Sequence, residues 1–336
     1  MTDAPPQDTE VPICPDTFGL VRVARSGQAS AVRNFWRSGS SCWTFRVRVP
    51  HNSGMELTTF ADVDGFLAVT GDFLEAREAE HNLIFGISSY VRDQPTFFGE
   101  RLPYFATVLA GERVVGAALR TPPHNLVLSE IDDPAAIDLV VADRLDDDLP
   151  GVLGPVEHAR AFAERWAAPA GRSWRKHDSE RIFRLRTVIA PPAVRGTLRT
   201  VTPADRDLVA SWMRAFSKEA MGEADPNDAD LATDRWMEGR GRTLYLWDDG
   251  EAVSLCGVGG QTPNGIRIGP VYTPPAARRR GYASALVAEA SQLQLDAGRR
   301  FCFLFTDVAN PTSNHIYQTI GYEPIRDVDA YRFESA

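Results

Sequence analysis

The stretch Arg278-Arg279-Arg280-Gly281-Tyr282-Ala283 decides how the rest of the chain is interpreted. It lies between an apolar run that ends near Thr273 and a helical pattern that continues to Ala297. Amide N–H groups at a helix start have no acceptor within the helix, and together with the helix dipole they attract anions. Gly281 and Ala283 leave room for phosphate to reach the backbone, and the arginines add forked donors. This stretch predicts a phosphate-holding turn, although a solvated basic turn fits these residues alone equally well.

A second segment of interest follows, and the residues between the two segments are enough for one helix and one strand. It runs Asn310-Pro311-Thr312-Ser313-Asn314-His315-Ile316-Tyr317-Gln318-Thr319-Ile320-Gly321-Tyr322. Asparagine followed by proline is typical of a helix start, and Gly321 is typical of its end. Tyr317 comes about two turns after Asn310 and therefore lies on the same helix face. A tyrosine at such a position more often packs in a core than acts in catalysis.

The two segments together resemble signatures of the Gcn5-related N-acetyltransferase (GNAT) family. The first is similar to the family's Arg/Gln-x-x-Gly-x-Gly/Ala turn, with Arg278, Gly281 and Ala283 at the defining positions. The second is similar to the family's Asn-x-x-(Ser/Asn)-x-x-x-Tyr-x-x-x-Gly-(Phe/Tyr) segment, matched by Asn310, Ser313, Tyr317, Gly321 and Tyr322. The resemblance covers residues 195–336 well and residues 55–190 only in outline.

This resemblance implies an α/β (α+β) fold of two GNAT-like domains, each with a mixed, mostly antiparallel central sheet flanked by helices. It implies acetyl-CoA as acyl donor and no metal. The pantetheine arm would lie along Val271-Tyr272-Thr273, whose amides also suit the oxyanion of thioester attack. The pyrophosphate would be held by the turn, that is by Arg278, Arg279, Arg280, Gly281, Tyr282, Ala283 and Ser284. Asn310 and Ser313 are expected to contact the cofactor, although Asn310 could equally be only a helix cap, worth about 1 kcal/mol.

The same resemblance assigns catalytic roles. Tyr317 would protonate the departing CoA thiolate. Because acceptor amines are mostly protonated at neutral pH, a carboxylate must also remove a proton before attack. Asp307, at the end of an apolar strand, and Glu219, in a predicted acidic loop from Lys218 to Asp230, are the candidates, and either could equally be a structural carboxylate. The acidic loop is most simply a solvated surface, though it would also favour a cationic acceptor.

Length and composition limit the other possibilities. A chain of 336 residues predicts two domains of ordinary size. A net charge of −9 argues against general nucleic-acid binding. The four cysteines are scattered, which indicates reduced thiols and a cytoplasmic location. No apolar run approaches the ~18 residues of a membrane span, and a monomer or homodimer is expected.

The chain divides into three predicted parts. Residues 1–54 lack sustained periodicity, and we interpret them as a disordered tail or sequence upstream of the true start, with a basic targeting or nucleic-acid-binding arm as the alternative. Residues 55–193 predict a degenerate acetyltransferase-like domain, because no phosphate turn precedes either of its later helices. Residues 194–336 predict the catalytic domain. Further expectations are a helix from Asp62 to Glu80, a strand from Ile182 to Val188 and two closing strands between Tyr322 and Phe333.

The function that follows is transfer of an acetyl group from acetyl-CoA directly to a primary amine of a small molecule or peptide. One alternative resembles mycothiol synthase, a tandem acyltransferase in which both halves usually bind acyl-CoA. The other is a non-catalytic acyl-CoA-binding regulator. Tyr317 separates this last class from an enzyme, since a binding module needs no thiolate-protonating group.

Overall fold

The computed structural model describes residues 32–34, 46–50, 54–95, 98–99, 101–221 and 226–334. Most of residues 1–54, which we interpret as a tail, lies outside these ranges. Two of its short segments form strands β1 (Val32–Asn34) and β2 (Arg46–Pro50), and β2 pairs with the first strand of the N-terminal half. None of the helices in the described ranges combines the length and the apolar character that crossing a membrane requires.

The N-terminal half, residues 55–193, follows the order strand, two helices, three strands, helix, strand, helix, strand. These elements are β3 (Met55–Phe60), α1 (Val63–Glu75), α2 (Asn82–Asp93), β4 (Tyr104–Ala110), β5 (Arg113–Arg120), β6 (Leu126–Leu128), α3 (Ala136–Arg144), β7 (Gly151–Pro155), α4 (Val156–Ala167) and β8 (Ser173–Leu185).

The C-terminal half, residues 194–336, repeats that order element by element. Its elements are β9 (Thr197–Thr200), α5 (Arg206–Met221), α6 (Pro226–Met237), β10 (Thr243–Asp248), β11 (Ala252–Gln261), β12 (Gly265–Tyr272), α7 (Tyr282–Asp296), β13 (Phe301–Asp307), α8 (Pro311–Thr319) and β14 (Glu323–Glu334). The repeated order and the mostly antiparallel pairing confirm the predicted fold class.

All strands belong to one sheet, and the two halves exchange their last strands. The strand order is β1-β2-β3-β4-β5-β6-β7-β14-β8-β13-β12-β11-β10-β9. Strand β14 of the C-terminal half pairs with β7, and β8 of the N-terminal half pairs with β13. The exchanged strands also pair with each other along most of their length. The domain boundary at residues 193/194 stays a prediction, but the sheet is continuous across it.

Three local predictions were wrong. The helix predicted from Asp62 to Glu80 ends at Glu75, and the helix α2 that follows was not predicted. Helix α2 contains Gly86 at the point where it packs against the backbone of β11. A Cβ atom on Gly86 would lie 3.3 Å from the Gly260 Cα atom. Most of the predicted loop from Lys218 to Asp230 is helical. The two predicted closing strands form the single strand β14. Its pairing with β8 shifts register between Pro324 and Arg326, but the strand continues through this point.

The exchange joins the cores of the two halves. Trp166 of α4, one of the largest fully buried side chains, packs its ring against Phe333 of β14 with centroids 4.3 Å apart. Tyr331 of β14 belongs to the same buried cluster of the N-terminal half. In the other direction, Phe183 and Leu185 of β8 are buried in the cluster beneath α7. Each half therefore takes part of its core from the other.

We accordingly predict that the isolated fragment 55–193 does not fold. Without β14 the edge of β7 is unpaired and the Trp166 ring loses its cover, and large aromatic losses from a core cost roughly 3–5 kcal/mol each. Circular dichroism and urea unfolding of the fragment should show no cooperative transition, whereas co-expression with residues 194–336 should restore one. A cooperative transition of the fragment alone would contradict the exchange.

Candidate active site

An opening between β12 and β13 lies at the centre of the C-terminal half. The two strands are parallel and pair only at their starts, from Gly265↔Phe301 to Arg267↔Phe303. Beyond this point β12 continues along β11 and β13 continues along β8, so β12 and β13 diverge. The edge of β12 from Ile268 to Tyr272 therefore faces the opening. Val271 and Tyr272, predicted to receive the pantetheine arm, lie along this edge, and Thr273 follows it.

The predicted phosphate turn starts α7 close to the end of β12. Two of its residues have positive φ, Arg279 at 62° and Gly281 at 83°, so the backbone turns sharply twice before the helix. Within the described ranges, the amides of residues 279–284 have no hydrogen-bond acceptor, and the first amide with one is that of Ala285, which donates to the Gly281 carbonyl at 3.0 Å. This run of unpaired donors at a helix start is the geometry that binds an anion.

The side chains of the turn have different surroundings. Arg278 donates to the Thr273 carbonyl at 2.8 Å and forms an ion pair with Glu219 at 2.6 Å. Tyr282 is buried and donates to Asp249 at 2.6 Å, which anchors the turn to the β10–β11 connection. Arg280 lies 3.7 Å from the same Asp249 carboxylate. Arg279 is exposed and has no ion-pair partner in the described part of the chain, which leaves it available to an anion.

The Tyr317 side chain projects from α8 into the core beneath the sheet. Its ring packs edge-to-face on Tyr322, with centroids 6.0 Å apart, in the cluster that also holds Cys256. Burial, and then the nearby Cys256, raise the pKa of Tyr317 well above its usual value. The hydroxyl therefore stays protonated at neutral pH. Among the described residues it has no hydrogen-bond partner, so its proton is not committed to another group.

The start of α8 is organised by side-chain caps. Asn310 accepts a hydrogen bond from the Ser313 amide at 3.0 Å, which confirms the predicted cap. Asp307 is exposed, and its carboxylate accepts from the Ala309 amide at 2.7 Å in the connection from β13. Glu219 accepts from Arg278 and from the Tyr272 hydroxyl, the latter at 3.4 Å. Both predicted proton acceptors thus have structural contacts, and their catalytic roles stay predictions.

A cavity of about 1610 Å³ lies between the two halves on the other face of the sheet from α7. Its lining includes Glu180 and Asp178 of β8, and Arg267 of β12. Sequence analysis missed Glu180, because that part of β8 is polar and carries no motif. Burial, followed by the negative charges of Asp178 and Asp307, raises the pKa of Glu180 to about 7, against the opposing effect of Arg267.

Among the described residues of the N-terminal half, the helix α3 that corresponds to α7 does not start with a phosphate turn. Helix α3 starts after Asp132-Asp133-Pro134, and the Asp133 carboxylate accepts from the Ala135 amide at 3.0 Å. The Asp133 carboxylate at this helix start disfavours a second anion, whereas Asp132 is paired with Arg77 and Arg113. This supports the prediction that residues 55–193 do not bind acetyl-CoA.

One group of described residues could in principle hold a metal ion, namely Glu130, Glu157 and His158. Arg326 of β14 already lies between its carboxylates, since it donates to Glu130 at 2.7 Å and forms an ion pair with Glu157. A guanidinium there supplies the positive charge that these carboxylates require. The absence of a metal from the reaction stays a prediction.

Comparisons with known proteins found similarity to one family model and to several solved structures. The model of the acetyltransferase (GNAT) family matches residues 207–322. The chain is similar to a solved Drosophila protein, with 16% identity, a TM-score of 0.60, and 83% of this chain and 98% of that chain covered. It is also similar to a tandem GNAT protein from the clavulanic acid biosynthesis pathway, with 16% identity, a TM-score of 0.51 and the same shares covered. A comparison with curated proteins found no match.

The matched residues contain β12, the phosphate turn, β13 and α8, whereas β8 with Glu180 lies outside them. Residues 207–322 of the C-terminal half are thus similar to the acetyltransferase (GNAT) family. The similarity to the solved structures, which extends over both halves, shows the fold alone at this level of identity. It agrees with the repeated order of elements in residues 55–193.

Proposed function

We propose that the protein transfers an acetyl group from acetyl-CoA directly to a primary amine, and that the C-terminal half carries out the reaction. The observation that carries this proposal is the run of unpaired amides at residues 279–284 beside the opening between β12 and β13. The match of residues 207–322 to the GNAT family model supports acyl transfer in general. The position and free hydroxyl of Tyr317 support catalysis over binding alone.

The residues present fit acetyl-CoA. Amides of residues 279–284 and the guanidinium of Arg279 would hold the pyrophosphate, and the edge of β12 at Val271, Tyr272 and Thr273 would receive the pantetheine arm. Acetyl-CoA supplies an activated thioester carbonyl. Amides along β12 are suited to stabilise the oxyanion that forms on this carbonyl during attack. The Tyr317 hydroxyl then gives its proton to the sulfur as the carbon–sulfur bond breaks.

The pairing of Arg278 with Glu219 bears on how the pyrophosphate would bind. Both side chains are nearly half exposed, at 42% and 48%. An ion pair of this exposure contributes about 0–1 kcal/mol, so a diphosphate can compete for the guanidinium at little cost. We therefore propose that Arg278 contacts the pyrophosphate only after releasing Glu219, whereas Arg279 is available without rearrangement.

The two alternatives make different demands on the N-terminal half. An enzyme like mycothiol synthase would bind acyl-CoA in both halves, but the Asp133 carboxylate at the start of α3 opposes this. A non-catalytic regulator would bind one acyl-CoA and transfer nothing. We propose one acetyl-CoA per chain, bound in the C-terminal half.

Two measurements on the intact chain test this function. Calorimetry should give saturable acetyl-CoA binding with a stoichiometry of one. A CoA-release screen over polyamines, amino acids, aminoglycosides and peptide N-termini should then find at least one amine that accelerates release. A stoichiometry of two would favour the mycothiol-synthase-like alternative, and binding without release for any amine would favour the regulator.

A further inference from the structure

Glu180 occupies the place where the two halves meet around the reaction centre. It lies in the exchanged strand β8, and in the sheet it is directly opposite Asp307, the last residue of β13. On its other side it is opposite Val328 of β14. A residue of the N-terminal half is thereby built into the sheet of the catalytic half, beside the strand that borders the opening.

The alternation of side chains along β13 shows which side of the sheet Glu180 faces. Leu304 packs beneath the sheet in the cluster with α7 and Tyr317, whereas Phe303 packs on the other face with Ala79 of the N-terminal half. Asp307 lies four residues after Phe303 in β13, and side chains an even number of residues apart in a strand point to the same face of the sheet. Directly opposite residues of an antiparallel pair also share a face. Glu180 therefore faces the cavity between the halves, on the opposite side of the sheet from Tyr317.

The surroundings of Glu180 keep its carboxylate available. It is half-buried and lines the cavity, yet in the part of the chain that the structure describes it has no hydrogen bond or ion pair. The charged groups that act on it are Asp178 from its own strand, Asp307 from β13 and Arg267 from β12. The rest of the cavity wall carries further charged or titratable groups of both signs, namely Arg101, Arg120, His124, Asp146, Asp147, Asp148, Arg172, His177, Arg235, Arg242, Arg332 and Glu334.

We propose that the acceptor amine binds in this cavity and that Glu180 removes its proton. This inference rests on the proposed acetyltransferase function. The ammonium nitrogen loses one proton to the Glu180 carboxylate, which passes it to solvent. The free amine attacks the thioester carbonyl, a carbon–nitrogen bond forms and the carbon–sulfur bond breaks. Tyr317 protonates the sulfur and regains its proton from solvent, and the second proton lost by nitrogen passes through Glu180 to solvent.

The arrangement separates the two proton transfers. The amine approaches from the face that carries Glu180, and the thiolate departs toward the face that carries Tyr317. Glu219 and Asp307 do not line this cavity, and each already accepts a hydrogen bond from a neighbouring group. The N-terminal half, whose helix α3 does not start with a phosphate turn, would on this account supply the proton acceptor and one wall of the acceptor site.

The pH dependence of kcat tests the role of Glu180, with any amine that the CoA-release screen identifies. Because the carboxylate must be deprotonated to accept a proton, kcat should rise with pH and level off above about 7. Glu180→Gln should lower kcat by about 10²–10³-fold and remove this rise, with an unchanged melting temperature. Asp178→Asn should keep the rise but move it to lower pH, because one nearby negative charge is lost.

A Glu180→Gln protein with the wild-type kcat and pH profile would overturn the role of Glu180 and leave the proposed function standing. Failure of the function would be seen separately, as absence of acetyl-CoA binding in calorimetry. If acetyl-CoA binds but no amine of the screen reacts, the regulator alternative is favoured, and the role of Glu180 is overturned together with the acetyltransferase function.

Discussion

Ala283→Asp is expected to weaken acetyl-CoA binding by at least about 100-fold. The new carboxylate would lie in the first turn of α7, where the amides of residues 279–284 are predicted to hold the pyrophosphate. Two like charges about 4 Å apart near a protein surface repel by on the order of 4 kcal/mol. The helix itself should not suffer, because a carboxylate in the first turn is favourable by roughly 0.3–1 kcal/mol. Calorimetry measures the affinity and thermal unfolding checks the fold.

The matched control is Ala283→Asn, which has nearly the same size and no charge. It should lose affinity through crowding alone, and therefore less than Ala283→Asp. Substitution of Gly281 would be a poorer test, since its φ is 83° and a Cβ there would lie 2.9 Å from Val194. Equal affinity of wild type and Ala283→Asp would remove the turn from the cofactor site.

Tyr317→Phe is expected to lower kcat by about 100-fold, at the low end of general acid catalysis, because CoA thiolate is already a fair leaving group. The ring and its packing on Tyr322 are kept. The hydroxyl has no hydrogen-bond partner among the described residues, so its removal should leave KM and the melting temperature nearly unchanged. Steady-state kinetics, with a test that chemistry limits the rate, provide the measurement.

Tyr322→Phe provides the control, because the two tyrosines are neighbours in one core. The Tyr322 hydroxyl forms a buried hydrogen bond of 2.8 Å with Ser291. Its loss should cost about 1 kcal/mol of stability and leave kcat nearly unchanged, the reverse of the Tyr317 result. A Tyr317→Phe enzyme with wild-type kcat in a chemistry-limited step would return Tyr317 to a packing role.

Local signals in the sequence predicted local structure well. The residues Thr202-Pro203-Ala204-Asp205 have the composition of a helix start, and they form a capping box in which the Thr202 amide donates to Asp205 at 2.8 Å. Phe162 and Trp166, four residues apart in the sequence, lie on the buried face of helix α4. The phosphate turn and the cap of α8 are likewise encoded within a few residues. Each depends on contacts between near neighbours, which a single sequence displays directly.

The strand exchange could not be predicted, because it depends on pairings between residues far apart in the chain. Only the apolar end of β8 was expected, as a strand from Ile182 to Val188, and its polar start from Ser173 resembles a loop. This polar segment is held by cross-strand ion pairs to β14, such as Arg181–Asp327 at 2.6 Å and Lys176–Asp329 at 2.9 Å. Glu180 was missed for the same reason, since its environment exists only after the exchange.

The central claim is direct acetyl transfer to an amine by the C-terminal half. It is tested most directly by mass spectrometry of a single turnover with [¹³C]acetyl-CoA and the amine found in the screen. The account predicts equal amounts of free CoA and labelled N-acetylated amine, with no label on the protein. A labelled acetyl-protein that forms before the product and decays with it would contradict direct transfer, and CoA release without any acetylated amine would contradict the proposed reaction itself.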